Sequence, residues 1–546
     1  MRIKYYKIFL ISGFLFINTL NLSYGQISFG PIHAIKKNVT KLKEKVQKSQ
    51  KVNLDGDLLI VPPILADLLS PDIDGSYTIS WNSVSGAISY SLEEADNSSF
   101  AGSTVAYTGS GISVNITGKT SGTYYYRVKA VNFNSDWSST KSITVNLSPA
   151  QQWIKQLSLG LMNNPTGVTA DNSENIYVTG YSDAGLPGNS NLVMYLVKYS
   201  SSGIKLWTKQ MGSSLLLCVG FAVTTDDSDN IYVTGVSSGS FDGNTSFGGF
   251  DAFLVKYDAA GVKQWSTQFG STSDDVAKGV ATDSSGNVYV TGGTEGSLGG
   301  NTSVGGYDMF LVKYNSAGVN QWTRQLGTAS EDGGQGITID SSGNIYVTGE
   351  TDGSLDGNIS SGGTDMFLSK YDSSGIKLWT KQLGTGTTDS GSGVATDISG
   401  DIYVAGYTSG GLDGNISYGN RDTFLVKYND TGSKQWTKQL GTNSNDAFYS
   451  MVTADGQGHV YVAGHTSIGF DGKANAGWYD IFLVEYNSSG SKQWGLQFGT
   501  STGDAGTGVA TDILGNIYVT GNTTGSIDGN TPANSDGNMF LVKYSK

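Results

Sequence analysis

An all-β fold is what this sequence predicts: a seven-bladed β-propeller closed by an N-terminal strand clasp and preceded by a small β-sandwich. Three observations predict it. One pattern is written seven times, opened by Trp153, Trp207, Trp265, Trp322, Trp379, Trp436 and Trp494, and closed by Tyr199, Tyr257, Tyr314, Tyr371, Tyr428, Tyr486 and Tyr544. The closing tyrosines recur every 57 or 58 residues, and a period that regular marks units stacked to bury a shared core. Each copy holds four short strand-like runs, which is what a propeller blade needs. Composition agrees: Gly is abundant (76), Pro scarce (8) and charged residues only 15% of the 546, a soluble profile suited to tight hairpins.

The net charge of −13 is unevenly spread. Arg2, Lys4 and Lys7 make the start basic, seven lysines lie within 26–51, and the long remainder is strongly acidic. Such a surface repels phosphates, which sets nucleic acid binding aside. Residues 1–25 read as a secretory signal: a basic start, the apolar stretch Ile8 to Leu22, and Ser23-Tyr24-Gly25 as a small-x-small cleavage pattern. The expected protein is exported, secreted or held at the cell surface, with Gln26 as its first residue; an uncleaved anchor is the alternative. Within 26–60, a basic helical segment and linker, Ile32, Ile35, Val39, Leu42 and Val46 fall on coiled-coil spacing. A spacer helix is one reading; self-association through residues 32–46 is the other.

Residues 63–148 alternate as strands. Tyr77, Ile79 and Trp81 share one face, and Ile88-Ser89-Tyr90-Ser91-Leu92 and the run from Thr123 to Val131 repeat the alternation. The Trp81 strand, Tyr90, the Tyr-Tyr-Arg-Val-Lys-Ala-Val run from Tyr125 and Asp136-Trp137-Ser138 resemble a fibronectin type III domain. That resemblance implies a sandwich with Trp81 and the tyrosines in its core. It carries no Arg-Gly-Asp triplet, so integrin binding through that loop is not implied.

Within 151–546 the order of strands in a blade follows from crowding. The innermost strand wants small side chains, so Gly279-Val280-Ala281-Thr282 goes inside. The Ile-Tyr-Val-Thr and Phe-Leu-Val-Lys-Tyr strands follow, and the Trp strand lies outermost. The chain then enters on an outer strand (Trp153 to Leu157) and leaves after a third strand (Phe540 to Tyr544), so the first strand completes the last blade and removes an open edge. Asp283-Ser284-Ser285-Gly286-Asn287 and Asn315-Ser316-Ala317-Gly318 suit type I turns ending in a left-handed glycine. The long loops gather on the opposite rim, where binding usually resides. The recurring Asp-x-x-Gly-Asn-x-Tyr-Val-x-Gly and Phe-Leu-Val-Lys segments resemble the bacterial seven-bladed β-propeller repeat family, which has no general activity to carry over. Leu186-Pro187-Gly188-Asn189 in the first copy and Glu485 in the sixth depart from its pattern.

Candidate chemistry is sparse. Three histidines (His33, His459, His465) and one cysteine are the whole supply, too few for a zinc or His-based catalytic centre. Cys218 sits among apolar residues as an inert thiol. Asp275, Asp332, Asp389 and Asp504 share one loop position near the axis, and Asp242, Asp356, Asp413, Asp471 and Asp528 another. A ring of acids could hold Ca²⁺, or each Asp could cap its own loop. Trp478, Tyr479, Tyr418, Tyr307, Phe250 and Phe247 could furnish an aromatic surface for sugars or peptides, or pack the loops onto the blades.

The expected function is therefore non-enzymatic adhesion: recognition of an extracellular glycan or protein by the long-loop rim. The alternatives are a propeller polysaccharide hydrolase or lyase using Asp pairs, and a structural surface-layer component. Whatever recurs in all seven copies holds the ring together, so function in the ring belongs where the copies disagree.

Overall fold

The computed structural model describes residues 62–68, 72, 75–131, 135–160, 162–183, 192–212, 216–444, 446, 450–470, 473–530 and 537–546. The signal-like residues 1–25 and the segment 26–60 with its heptad positions lie outside them. No helix of the described residues is long and apolar enough to cross a membrane. Apart from single 3-10 turns, every element is a β-strand.

In the N-terminal part, Thr104–Gly109, Tyr90–Ala95, Gly122–Ala130 and Lys141–Val145 form one antiparallel sheet in that spatial order, while Tyr77–Ser80 pairs with Ser113–Ile116. Trp81 is buried against the rings of Tyr90 and Tyr107 at 5.8 and 5.7 Å. The alternation expected from Ile88 begins two residues later: Ile88 lies outside the strand and is exposed, and Tyr90, Leu92 and Ala95 are buried.

Residues 150–545 form seven four-stranded antiparallel sheets. The third is representative, with Asp275–Thr282, Val288–Thr294, Asp308–Tyr314 and Asn320–Leu326 adjacent in chain order. Burial explains the residue types. The second and third strands are buried at nearly every position, because each sheet is covered on both faces by its neighbours; a continuous apolar run replaces simple alternation. Tyr232 and Leu254 of the second sheet pack on Val290 and Phe310 of the third in one cluster. The fourth strand has only its inner edge paired and carries polar residues such as Asn320 and Gln321, both exposed.

Crowding does select the first strand. A Cβ on Gly279 would stand 3.0 Å from Ile337 Cγ2 and 3.2 Å from the carbonyl of Gln335 on the next first strand. First strands follow one another from sheet to sheet, and the seventh lies against the first: Thr507 Oγ1 donates to Pro165 O at 2.7 Å, as Thr166 Oγ1 does to Gly220 O at 2.8 Å. The seventh sheet is completed by Ala150–Leu157, which pairs with Asn538–Ser545 in the register Met539 with Leu157 and Lys543 with Trp153.

A recurring polar device explains the repeat motif. Asp283 Oδ1 accepts the amides of Ser285 and Asn287, its Oδ2 accepts Asn287 Nδ2 and the Tyr289 hydroxyl at 2.9 Å, and Gly286 turns the chain at φ +75°. The Tyr289 ring then meets Trp322 of its own fourth strand at 6.0 Å, with Lys313 between them donating to Ser373 O of the next sheet. In the seventh sheet Tyr518 meets Trp153 at 6.2 Å, and Lys543 donates to Ser201 O.

Candidate functional site

All seven first strands line one cavity of about 610 Å³. Among its lining is a collar of β-branched side chains, one per sheet: Val168, Val223, Val280, Ile337, Val394, Val452 and Val509. Just before the collar, six of the strands carry a β-bulge, between Pro165 and Gly167, Gly220 and Ala222, Ala277 and Gly279, Gly334 and Gly336, Gly391 and Gly393, and Gly506 and Gly508. A bulge leaves one residue out of the ladder and re-aims its side chain. Here those residues are Thr166, Phe221, Lys278, Gln335, Ser392 and Thr507, and every one lines the cavity. The bulge recurs while the residue changes. A second variable tier stands beside it on the second strands, where Tyr181, His465 and Asn522 also line the cavity.

Specific contacts tie these tiers together. Lys278 Nζ lies over the Phe221 ring, 3.6 Å from its centroid. Burial lowers the Lys278 amine to about 8, and Glu350 opposes that shift. Gln335 Nε2 donates to Glu350 Oε1 at 3.4 Å, and Asn522 Nδ2 to Asn164 Oδ1 at 3.1 Å. His465 meets Tyr479 edge to face at 5.3 Å, and burial drops its imidazole to about 4. A second cavity of about 390 Å³ adjoins the first through Lys278 and Gln335; Tyr307, Glu331, Asp332, Glu350 and Asp352 are among its walls.

The aromatic residues expected to bind divide into two equivalent positions and one outlier. Phe250, Tyr307 and Tyr479 each precede a third strand and accept, through their carbonyls, the amides of Asp275, Asp332 and Asp504. Tyr307 and Tyr479 reach the cavities. Phe247 and Tyr418 hold another position, their amides donating to Asp251 and Asp422 while half of each side chain stays in solvent. Trp478 is 79% exposed, so it does not pack a loop onto its sheet.

The four aspartates Asp275, Asp332, Asp389 and Asp504 are fully or almost fully buried at the starts of four different first strands. Each caps its own loop: Asp275 Oδ2 accepts the amide and hydroxyl of Ser271, and Asp332, Asp389 and Asp504 do the same for Thr328, Thr385 and Thr500. Burial raises all four above the usual carboxylate value. The structure brings them together only pairwise with a neighbouring third-strand residue, Asp275 with Asp251 for one. Among the described residues no group of three or more His, Cys, Asp or Glu side chains is placed to hold a metal ion. Asp242, Asp356 and Asp413 sit in left-handed backbone and pair with Lys263, Lys377 and Lys434; Asp471 and the Asp528 side chain lie outside the description. Cys218 is buried at the start of its first strand, its thiol pushed up to about 12.

The bulge tier was not singled out by sequence reasoning, although its signal is present. Three places after the first residue of each of these six strands, and two before its Val or Ile of the collar, stands one residue that no two of them share, apart from Thr166 and Thr507. Aligning the seven copies column by column would isolate it.

A family model described as a β-propeller repeat matches residues 152–187, 264–299, 321–356, 378–413, 435–471 and 493–528. A regulatory protein of Caulobacter vibrioides, FlaEY, is 28% identical over 245 residues, covering 39% of this chain and 26% of its own length. An uncharacterized WD repeat-containing protein of Acanthamoeba polyphaga mimivirus is 25% identical over 475 residues, covering 64% and 34%. The chain thus spans only 26% and 34% of the lengths of these relatives. Among solved structures, a gluconolactonase from Xanthomonas campestris has a TM-score of 0.31 at 8% identity, covering 58% of this chain and 91% of that one. A rhamnogalacturonan lyase from Bacillus licheniformis has a TM-score of 0.32 at 13% identity, covering 88% and 91%. Likeness at that level transfers no chemistry. The family model and the repeated four-stranded sheets agree in placing β-propeller repeats within residues 152–528.

Proposed function

We propose that residues 151–546 form a closed seven-bladed β-propeller behind a fibronectin type III domain at 63–148. In this reading the protein is exported and works as a non-enzymatic recognition protein, its long-loop face taking an extracellular glycan or protein. The observation that carries it is Trp478, a large ring left in solvent on a rigid scaffold, at a loop where the other copies have no Trp. Exposed aromatic rings are common anchors for sugars and peptides. An array of glycans and matrix proteins probed with the whole chain and with Trp478→Ala tests it. The expected result is a discrete set of ligands bound by the first and lost with the second; silence of the whole chain on both arrays overturns it.

A second reading has its own observation. The smaller cavity gathers Glu331, Asp332, Glu350 and Asp352 beside Lys278 and Tyr307, and paired carboxylates are what polysaccharide hydrolysis needs. Turnover of polysaccharide substrates, abolished by Glu350→Gln, would promote the enzyme over the binding protein.

A further inference from the structure

Lys278 differs from the other described lysines of the repeats. Lys198, Lys256, Lys313 and Lys370 donate to hairpin carbonyls of the next sheet, and Lys263, Lys377 and Lys434 pair with aspartates. Lys278 is bulged out of its strand into the lining of the 610 Å³ cavity, where its ammonium lies over the face of Phe221. It is mostly protonated at neutral pH, and burial leaves it poorly hydrated. A desolvated cation in a recess recruits an anion strongly, because little water must be displaced and the local dielectric is low.

The surroundings specify the rest of the ligand. The collar of seven Val and Ile side chains lines the cavity, with the Phe221 ring beside the amine; apolar surface of that kind takes a hydrocarbon body. Gln335 and Ser392, the bulged residues of the next two sheets, stand on the same tier and supply polar hydrogens for a second oxygen. Glu350 lies close enough to act electrostatically on Lys278 and opposes a second negative charge. A phosphate, which wants several cationic donors, finds one amine here.

We propose that this cavity is a binding site for a small amphipathic monocarboxylate, its carboxylate on Lys278 Nζ and its hydrocarbon body against Phe221 and the Val/Ile collar. Tyr479 lines the cavity, whereas Trp478, on which the proposed loop recognition rests, does not. The glycan and matrix array therefore neither supports nor overturns it.

Equilibrium dialysis of the whole chain against radiolabelled octanoate, octanamide and octylamine tests the proposal. The expected result is saturable binding of octanoate to one site, with octanamide about tenfold weaker or more, the scale of one hydrogen bond to a charged group. Octylamine should not bind. Lys278→Met should weaken octanoate by the same factor, while Trp478→Ala leaves it unchanged. If Lys278→Met does not fold, as judged by its melting transition, Lys278→Gln reads the same difference. No saturable octanoate binding, equal binding of octanoate and octanamide, or undiminished binding to the folded Lys278 variant overturns the site.

Discussion

Asp251 and Asp275 stand on either side of Gly270, so that a Cβ added there would lie 2.4 Å from Asp251 Oδ1 and 2.7 Å from Asp275 Oδ2. Both carboxylates are fully buried, and Oδ1 of each has no hydrogen-bond partner. The same juxtaposition of a third-strand start with the next first-strand start recurs as Asp308 with Asp332, Asp365 with Asp389 and Asp480 with Asp504, and Asp422 pairs likewise with Asp446, which precedes the short first strand Met451–Ala454. At the two remaining junctions both members change together, to Asn538 with Asn163 and to Val193 with Cys218. Burial raises Asp275, Asp332, Asp389, Asp446 and Asp504, and the neighbouring carboxylate adds to that shift.

Asparagine should relieve that conflict. Asn163 already shows how: its Oδ1 accepts the Leu159 amide at 2.7 Å and its Nδ2 donates to Gly537 O at 3.0 Å. The folded Asp275 pKa is raised, so the folded state holds its proton longer than the unfolded chain. Stability from this group is greatest below the ordinary carboxylate value and falls as pH climbs towards the raised one. Asp251→Asn with Asp275→Asn should remove that loss and stabilise the protein at pH 7 by about 1.4 kcal/mol for each pKa unit by which Asp275 is raised. Urea unfolding at pH 4 and pH 7 measures it; an unchanged difference between the two pH values would count against the raised Asp275.

The strand Ala150–Leu157 should matter as much as any strand inside a copy. Trp153→Ala removes a ring that meets Tyr518 and an indole donor to Ser201 O at 3.2 Å. A cost of about 3 kcal/mol is expected for losing a packed Trp, matched by Trp265→Ala in the fourth strand of the second sheet. Deleting residues 151–158 should lower the melting temperature far more than either. An unchanged melting temperature after the deletion would sink the clasp.

In the sixth sheet a charge reversal is compensated locally. Glu485 replaces the usual Lys and lies 3.8 Å from His459 Nε2, while His459 Nδ1 and Lys546 Nζ both reach Asp455 Oδ2. Contact with Asp455 raises the His459 pKa. Its contribution is complete below the ordinary imidazole value and is lost as pH rises through the raised one. Glu485→Lys alone should therefore destabilise, and His459→Asn should rescue it, with a coupling of about 1 kcal/mol in a double-mutant cycle. Additive single effects would show that the two positions do not speak to each other.

The Asp-to-Tyr bond beneath each hairpin should be separable from packing. Tyr346→Phe keeps the ring against Trp379 but strips a hydroxyl donor from Asp340 Oδ2. A loss of about 1–2 kcal/mol is expected. Asp340 is held below its ordinary value by Asn344, Tyr346 and the turn amides, so its stabilisation is present above the unfolded value and fades as pH falls through the folded one. The variant should accordingly show a shallower acid transition between pH 5 and pH 3 by circular dichroism, the region about which unfolded Asp titrates.

Much of this arrangement was determined by the sequence alone, because it rests on local chemistry repeated in register. The Trp-to-Tyr spacing, the small residues of the first strand and the Asp-x-x-Gly turns each imply a four-stranded unit and its strand order. They also imply an outer strand, Ala150–Leu157, with no partner except the last copy. What only the tertiary structure decided are relations between sheets. Asp251 and Asp275 carry no local mark as a pair; they meet because adjacent sheets stack with the end of one long loop against the next. Lys278 reads as an ordinary strand residue until the register shift between Ala277 and Gly279 takes it out of the ladder and into the cavity lining. Hairpins and strand order are written in neighbouring residues, whereas the cavity is made by the stacking of sheets whose residues are remote in the chain.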